Sequence, residues 1–418
     1  MSRLVMKFGG TSVADVERVT RVARHVAAER AKGHDVAVVV SAPSGKTDEL
    51  VALAKAAAGG DTNLPLGFDD EYDVVVALGE QISTGLLALA LRRMGIPARS
   101  WQGWQIPIQA SDVHASARID GIDGTKLGAS IDSGTVAVIA GFQGVDKDGR
   151  IATLGRGGSD TSAVAIAAAL QAERCDIYTD VDGVYTTDPR MVNKAQRIEK
   201  ISYEEMLEMA SLGSKVLQTR SVELAMAQRV PVRVLSSFVE PGEPNPGTLV
   251  CDEDEIVEKQ IVSGVAYSRD EAKITLLGVA DHPGVAAEIF GRLADANINV
   301  DMIVQAHARQ HHAANIVFTC AERDADRALK LLNDNRAAIG FEEGQAQKGV
   351  SKVSVIGVGM RSHTGVARTM FSALSAKGIN IEVISTSEIK ISVVVDEKYL
   401  ELAVRALHRA FDLDQATA

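Results

Sequence analysis

At 418 residues the chain is long enough for two or three domains, and its 46% hydrophobic and 24% charged residues match an ordinary soluble globular protein. A net charge of -11 and only 4% aromatic residues argue against nucleic-acid and anionic-membrane partners, because an acidic surface repels both and few rings are present to stack on bases. Cys175, Cys251 and Cys320 stand far apart in no zinc or disulfide spacing, and neither a secretory segment nor a long apolar run is read, so a reduced cytoplasmic setting is expected.

Near the N-terminus "LVMKFGG" predicts a strand that ends at Lys7 and runs into a glycine turn. Val16, Val19, Val22, Ala23, Val26 and Ala27 then share one face of a helix that Gly33 can stop. "DVAVVVSA", "YDVVVAL", "TVAVIAGF" and "CDIYTDV" read as buried strands with helical stretches between them. Such alternation predicts an α/β domain, a mostly parallel sheet sandwiched by helices, with ligands beyond the carboxyl ends of the strands. Lys7, Ser41, Glu80, the turn at 153–160 and Asp180 are all expected at or just past such ends. "SSFVEPGEPNPGTLVCDEDE", with three prolines and an acidic run, reads as a surface linker leaving this domain.

"TLGRGGSDTSAVAIAAAL" (153–170) joins a glycine-rich turn to an alanine-rich helix. Glycines let a backbone approach a ligand, and the free N–H groups and dipole of a helix start favour an anion. Arg156 could then grip a carboxylate or phosphate at two points. A tight turn followed by a helix capped by Ser159 or Asp160 is the competing reading. Two nucleotide motifs fail: "SGKTDEL" (44–50) has Val40 where a P-loop needs glycine, and "GRGGSD" ends on Asp160 where a dinucleotide motif needs glycine. What remains is Lys7 beside Gly9 and Gly10, then Glu80, Arg156, Asp160, Asp180 and Tyr185. That set suits phosphoryl transfer, which needs cations and backbone N–H groups around the moving group.

Past the linker the chain repeats itself. Residues 272–303 and 351–384 share a strand, an H-x-G-V turn, an amphipathic helix, I-N-[VI] and a second strand. His282 and His363 begin the two turns, 81 positions apart. Each unit continues into "NIVFTC" or "IKISVVVD" and a further helix, giving two units of ferredoxin-like pattern.

"MKFGGTSV", "VVVSA", "ALGEQIST", "AGFQG", "TLGRGGSDTSA", "YTDVDGVYTTDPR" and "GSKVL" resemble, in order and spacing, the aspartate kinases of the amino-acid kinase family. The paired C-terminal units look like ACT domains, so the resemblance spans essentially the whole chain. It implies an amino-acid kinase catalytic domain over 1–250 and ferredoxin-like ACT regulatory domains over 265–345 and 346–418. The implied reaction moves the γ-phosphoryl of ATP, accompanied by Mg2+, onto the side-chain carboxylate of L-aspartate. The product, 4-phospho-L-aspartate, enters lysine (diaminopimelate), threonine and methionine biosynthesis. An acceptor carboxylate with an ordinary pKa of about 3.9 is already ionised at neutral pH, so no general base is required.

By this resemblance Lys7 stabilises the transferring phosphoryl and Asp160 orients it. Arg156 clamps the aspartate α-carboxylate, Glu80 faces its ammonium, and Ser41, Thr47 and Ser159 complete the substrate site. Lys7, Gly9, Gly10, Ser12, Thr179, Asp180, Tyr185, Arg190, Lys215 and Val216 hold ATP, and no metal is held by protein side chains. Asp281, Gln305, Asn380 and Ile381 match positions that bind a regulatory amino acid, lysine and/or threonine, and a homo-oligomer through the ACT domains is expected.

Two stretches depart from the pattern. Pro43 and Ser44 stand where the family usually has methionine and glycine, and the 305–318 stretch carries Ala308, His311, His312 and Val317 where relatives often have serines and threonines. Adjacent histidines seldom face one ion, so that pair is not read as a metal site. A kinase for N-acetylglutamate or carbamate and a non-catalytic amino-acid sensor are the alternatives. Glu80 suits a free ammonium, which the first two substrates lack. The chain's length leaves no room for a fused homoserine dehydrogenase, and the absence of methionine between Met226 and Met302 favours a single kind of subunit.

Overall fold

The structure, a computed structural model, describes residues 2–60, 67–213, 216–256, 260–307 and 313–415. It divides into two compact units. The first holds Met1–Val184, Arg197–Ser211 and Lys215–Glu258; the second holds Tyr185–Gln196, Leu212–Ser214 and Lys259–Ala418. Two short segments inside the sequence-read catalytic domain, 185–196 and 212–214, thus pack with the C-terminal unit.

In the first unit the strands are β1 (Arg3–Phe8), β2 (Asp35–Val40), β3 (Ala98–Trp101), β4 (Ile108–Ala110), β5 (Ile119–Ile122), β6 (Val136–Ala140), β7 (Gln143–Val145), β8 (Ile151–Thr153), β9 (Arg174–Thr179), β10 (Lys200–Ser202), β11 (Val232–Ser236) and β12 (Thr248–Cys251). The helices are α1 (Val16–Ala31), α2 (Lys46–Ala57), α3 (Asp69–Val76), α4 (Leu78–Arg93), α5 (Thr125–Asp132), α6 (Gly158–Ala169), α7 (Tyr203–Ser211) and α8 (Thr219–Gln228). Eight strands form the main sheet in the order β10-β12-β11-β9-β1-β2-β6-β3, parallel throughout except where β12 meets β11. Buried β-branched runs such as Val36–Val40 form its centre, as strands covered on both faces require. Lys7 sits in the middle of this sheet, paired in register with Val39 on one side and Ile177 on the other.

Asp15 caps α1 by accepting from the Arg18 N–H at 2.8 Å, and Val19, Val22, Ala23 and Val26 are buried as the sequence predicts, whereas Val16, in the first turn, is exposed and Ala27 is half-buried. By contrast α6 is buried on nearly every side, from Gly158 to Ala167, so its small side chains carry no amphipathic pattern.

Two strand-level expectations are corrected. "YDVVVAL" is helical, lying in α3 and the start of α4. A short β-branched run cannot be told from a buried helix by periodicity, and here three acidic residues, Asp69, Asp70 and Glu71, occupy a helix first turn. Glu80 therefore stands in the first turn of a helix, where the sequence reading had it past a strand. The proline-rich stretch also does not leave the unit at once, because Thr248–Cys251 returns as β12 to pair with β11 and β10. Among the described residues one stretch, Asp69–Arg93, is long and apolar enough to cross a membrane, contrary to the sequence reading; half of its apolar window is buried, with Leu87 and Leu91 in the core of the unit.

The second unit is built on one antiparallel sheet ordered β14-β15-β13-β16-β18-β17. Its strands are β13 (Gly264–Ala280), β14 (Val300–His307), β15 (Ala313–Ala321), β16 (Glu343–Ile356), β17 (Val383–Thr386) and β18 (Lys390–Asp396). Its helices are α9 (Val285–Asp295), α10 (Ala325–Asp334), α11 (Arg336–Ile339), α12 (Val366–Ser375) and α13 (Leu400–Ala410). Gly284 and Gly365 stand at the N-caps of α9 and α12, matching the repeated H-x-G-V turns. The two repeats share a continuous ladder, since β13 pairs with β15 on one side and β16 on the other. The sequence-read boundary at 345/346 falls inside β16.

Candidate active site

The seven residues assigned from sequence to catalysis and to the acceptor substrate, Lys7, Ser41, Thr47, Glu80, Arg156, Ser159 and Asp160, line one open cleft of about 350 Å3 in the first unit, together with Gly10. They come from the ends of β1 and β2, the starts of α2, α4 and α6, and the turn after β8.

Three helix starts serve this region without a side-chain cap: the single 3-10 turn at Gly10–Val13, then α2 and α6. Gly45 and Gly157 stand at the N-caps of α2 and α6 in left-handed conformations, with φ of 79° and 75°. A side chain at either would be strained, so glycine is what lets both helix starts form these turns. The Lys46 N–H is taken by the Pro43 carbonyl at 2.9 Å and the Gly158 N–H by the Gly155 carbonyl at 3.0 Å, so an anion would draw on the N–H groups one and two residues further into each helix.

At the base of the cleft the Lys7 ammonium lies 2.6 Å from the Asp160 carboxylate, both buried. An added Cβ on Gly9 would stand 3.6 Å from Lys7 Nζ, so the glycine turn keeps the approach to the ammonium narrow and clear. Arg156 is exposed and has no ion-pair partner among the described residues, leaving its guanidinium for an incoming carboxylate. Glu80 is buried; its Oε1 accepts from the Ala42 N–H at 3.0 Å and its Oε2 has no hydrogen-bond partner among the described residues. Burial pushes its carboxyl up to about 7, against the opposing pull of the Ala42 N–H.

The turn carrying Arg156 is held from beneath by residues the sequence reading missed. The fully buried Asp73 carboxylate accepts from the Thr153 N–H at 2.9 Å, from the Thr153 hydroxyl, and from the Ala115 N–H at 3.0 Å, and it meets His114 Nδ1 at 2.8 Å. Arg220 donates to the Leu154 carbonyl at 2.6 Å and the Ala117 carbonyl at 2.9 Å. Phe142, a lining residue with φ of 67°, is tied to α6 through its N–H to Ser162 Oγ at 3.1 Å. A lone carboxylate inside the apolar "YDVVVAL" run was the only signal for Asp73 in the sequence.

The residues assigned to ATP are more scattered. Gly9 caps the 3-10 turn after β1 and Ser12 lies within it, its hydroxyl buried and without a hydrogen-bond partner among the described residues. Thr179 ends β9 and its hydroxyl donates to Asp180 at 3.2 Å; Val216 lies just before α8. Tyr185 and Arg190 belong to the second unit, where Arg190 Nη2 pairs with Asp188 at 2.8 Å. Lys215, like Ala308 and the His311–His312 pair, lies outside the described residues. Of the effector candidates, Asp281 follows β13 and faces His307 Nδ1 at 3.6 Å, Gln305 is exposed on β14, and exposed Asn380 and half-buried Ile381 precede β17.

The model of the amino acid kinase family matches residues 2–236, and an ACT domain model matches 274–335 and 353–411. The aspartate kinase of Pseudomonas fluorescens is 54% identical over 415 residues, covering 99% of this chain and 98% of that protein. The chain belongs to the aspartate kinases. Aspartokinase 2 of Bacillus subtilis is 44% identical over 415 residues, covering 99% of both chains. Among solved structures, E. coli aspartokinase III in complex with aspartate and ADP matches with a TM-score of 0.78 at 29% identity, covering 97% of this chain and 99% of that one. The same enzyme in complex with lysine and aspartate matches with a TM-score of 0.75. This aspartate kinase is thus a phosphotransferase with a parallel-sheet catalytic unit followed by ACT domains, the architecture its sequence implied.

Proposed function

We propose that the cleft transfers the γ-phosphoryl of ATP to the side-chain carboxylate of L-aspartate. The supporting observation is the buried Lys7–Asp160 pair beneath an unpaired Arg156 and the partnerless Oε2 of Glu80. Arg156 takes the aspartate α-carboxylate, and Glu80 Oε2 takes the α-ammonium. These two contacts fix the amino acid at both charged ends and leave its side-chain carboxylate toward Lys7. That carboxylate attacks as an anion, so the protein needs to remove no proton. Lys7, held in place by Asp160, and the N–H groups at the start of α6 offset the charge gathered when two anions meet.

Gly9, Gly10 and Ser12 take the triphosphate, and Thr179, Asp180, Tyr185, Arg190, Lys215 and Val216 the rest of the nucleotide. Among the described residues no group of three or more His, Cys, Asp or Glu side chains could hold a metal ion. Mg2+ would be carried on the ATP phosphates, where it neutralises phosphate charge. Regulation by lysine and/or threonine through Asp281, Gln305, Asn380 and Ile381, assembly of copies through the ACT domains, and a cytoplasmic location complete the proposal.

The test is an initial-rate assay with ATP and either L-aspartate or N-acetyl-L-aspartate, with L-lysine and L-threonine added separately and together. Turnover of aspartate with rejection of the acetylated acid supports the Glu80–ammonium contact. Equal use of both would overturn it.

A further inference from the structure

We infer that Tyr267 and Asp188 are positioning residues for Arg190; this rests on the reading of Arg190 as an ATP ligand. Residues 185–196 lie in sequence between β9 and β10 of the catalytic sheet, yet they pack as part of the second unit. The Met191 side chain is buried in the same apolar cluster as Val265, Val355, Leu400 and Leu407. Backbone contacts fix the segment at two more points: the Val265 N–H donates to the Thr186 carbonyl at 2.7 Å, and Arg405 Nε donates to the Met191 carbonyl at 3.0 Å. The Thr186 hydroxyl meets His408 Nε2 of α13 at 2.9 Å, both groups buried.

On this anchored segment the Arg190 guanidinium projects into solvent with 90% of its side chain exposed. Asp188 constrains it, accepting from Arg190 Nε at 3.0 Å and Nη2 at 2.8 Å. Asp188 in turn accepts from the Tyr267 hydroxyl at 3.0 Å. Tyr267 lies near the start of β13, and the far end of that strand adjoins the effector candidate Asp281. A long exposed arginine loses rotamer freedom when it binds a ligand, and a fixed carboxylate beside it meets that cost beforehand. The Asp188 carboxylate also accepts from the Arg190 N–H at 2.9 Å, and Tyr267 adds the tie to β13: without its hydroxyl, Asp188 keeps its charge and the local N–H contact but loses the hold on its other oxygen. Tyr267 therefore bears on nucleotide affinity through Asp188 and Arg190.

The experiment uses the full chain and compares Tyr267→Phe, Arg190→Ala and the double variant in initial-rate assays with separate titrations of ATP and L-aspartate. Tyr267→Phe is expected to raise the KM for ATP about three- to tenfold, the worth of one hydrogen bond, with kcat and the aspartate KM within about twofold. Because Tyr267 acts through Arg190, the double variant should be no worse for ATP than Arg190→Ala alone. A purely structural tyrosine would move both KM values and the melting temperature together, which would overturn the proposal. So would an unchanged ATP KM in Tyr267→Phe when Arg190→Ala raises it, or additive effects in the double variant. If Arg190→Ala itself leaves the ATP KM unchanged, the reading of Arg190 as a nucleotide ligand falls, and the proposal falls with it.

Discussion

The Glu80 carboxylate accepts one hydrogen bond, from the Ala42 N–H at 3.0 Å, and leaves its second oxygen buried without a partner. Burial raises its carboxyl to about 7, so near neutrality the group is part protonated in the free enzyme. An ammonium favours the ionised form. On this reading kcat/KM for aspartate should climb as the pH goes from about 6 to 8, with a flatter ATP profile. Glu80→Gln should lower kcat/KM and remove the climb. The stability sign is opposite. A carboxyl raised from its ordinary 4.5 to about 7 contributes stability that is complete below about 4.5 and is lost as the pH rises through about 7. Thermal melts of the free enzyme should show Glu80→Gln losing less stability than the natural chain over that window.

Lys7 and Asp160 make a pair whose two roles can be separated. Lys7→Met should cut kcat by about 10²–10³, the loss expected for one preorganised donor to a developing charge. It also leaves Asp160 buried and unpaired, a cost of about 3–5 kcal/mol. Adding Asp160→Asn should recover much of the stability and none of the turnover. Recovery of turnover in the double variant would take Lys7 out of the chemistry.

Arg156→Ala should weaken aspartate use selectively. Loss of a two-point charged contact corresponds to about a ten- to hundredfold rise in the aspartate KM. The ATP KM should stay within about twofold. Titrating both substrates decides the matter, and equal damage to the two would contradict the clamp.

Asp73→Asn puts an amide where N–H donors from Thr153 and Ala115 converge. The predicted cost is about 2–3 kcal/mol of folding stability, read from denaturant unfolding. The aspartate KM should rise with it, because Thr153 begins the turn that presents Arg156.

Sequence and structure agree most closely where the requirement is local. The glycine turn before α6, the Lys7 strand end and the repeated H-x-G-V turns all state their backbone needs within a few residues. The cleft residues gathered from Lys7 to Asp160 were also legible, through resemblance to a family whose motifs keep their order. What escaped the sequence depends on distance and burial. Asp73 was hidden because "YDVVVAL" has strand-like composition and a helical fate decided by its packing. The attachment of 185–196 to the ACT unit turns on contacts such as Thr186–His408, more than two hundred residues apart, which no local pattern announces.

The shared ladder of β13 and β16 has a genetic consequence. The regulatory half looks like a tandem duplication, yet its copies have ceased to be modules. A truncation at the repeat boundary would cut through β16, strip β13 of a neighbour, and open the seam where Met302, Val350, Val383 and Val394 meet. The Lys273–Glu382 pair at 2.5 Å and the reach of Lys352 to Asp301 stitch the same seam with charge. Substitutions in one copy are therefore constrained by the other, and the pair is expected to drift and melt as a single inherited piece.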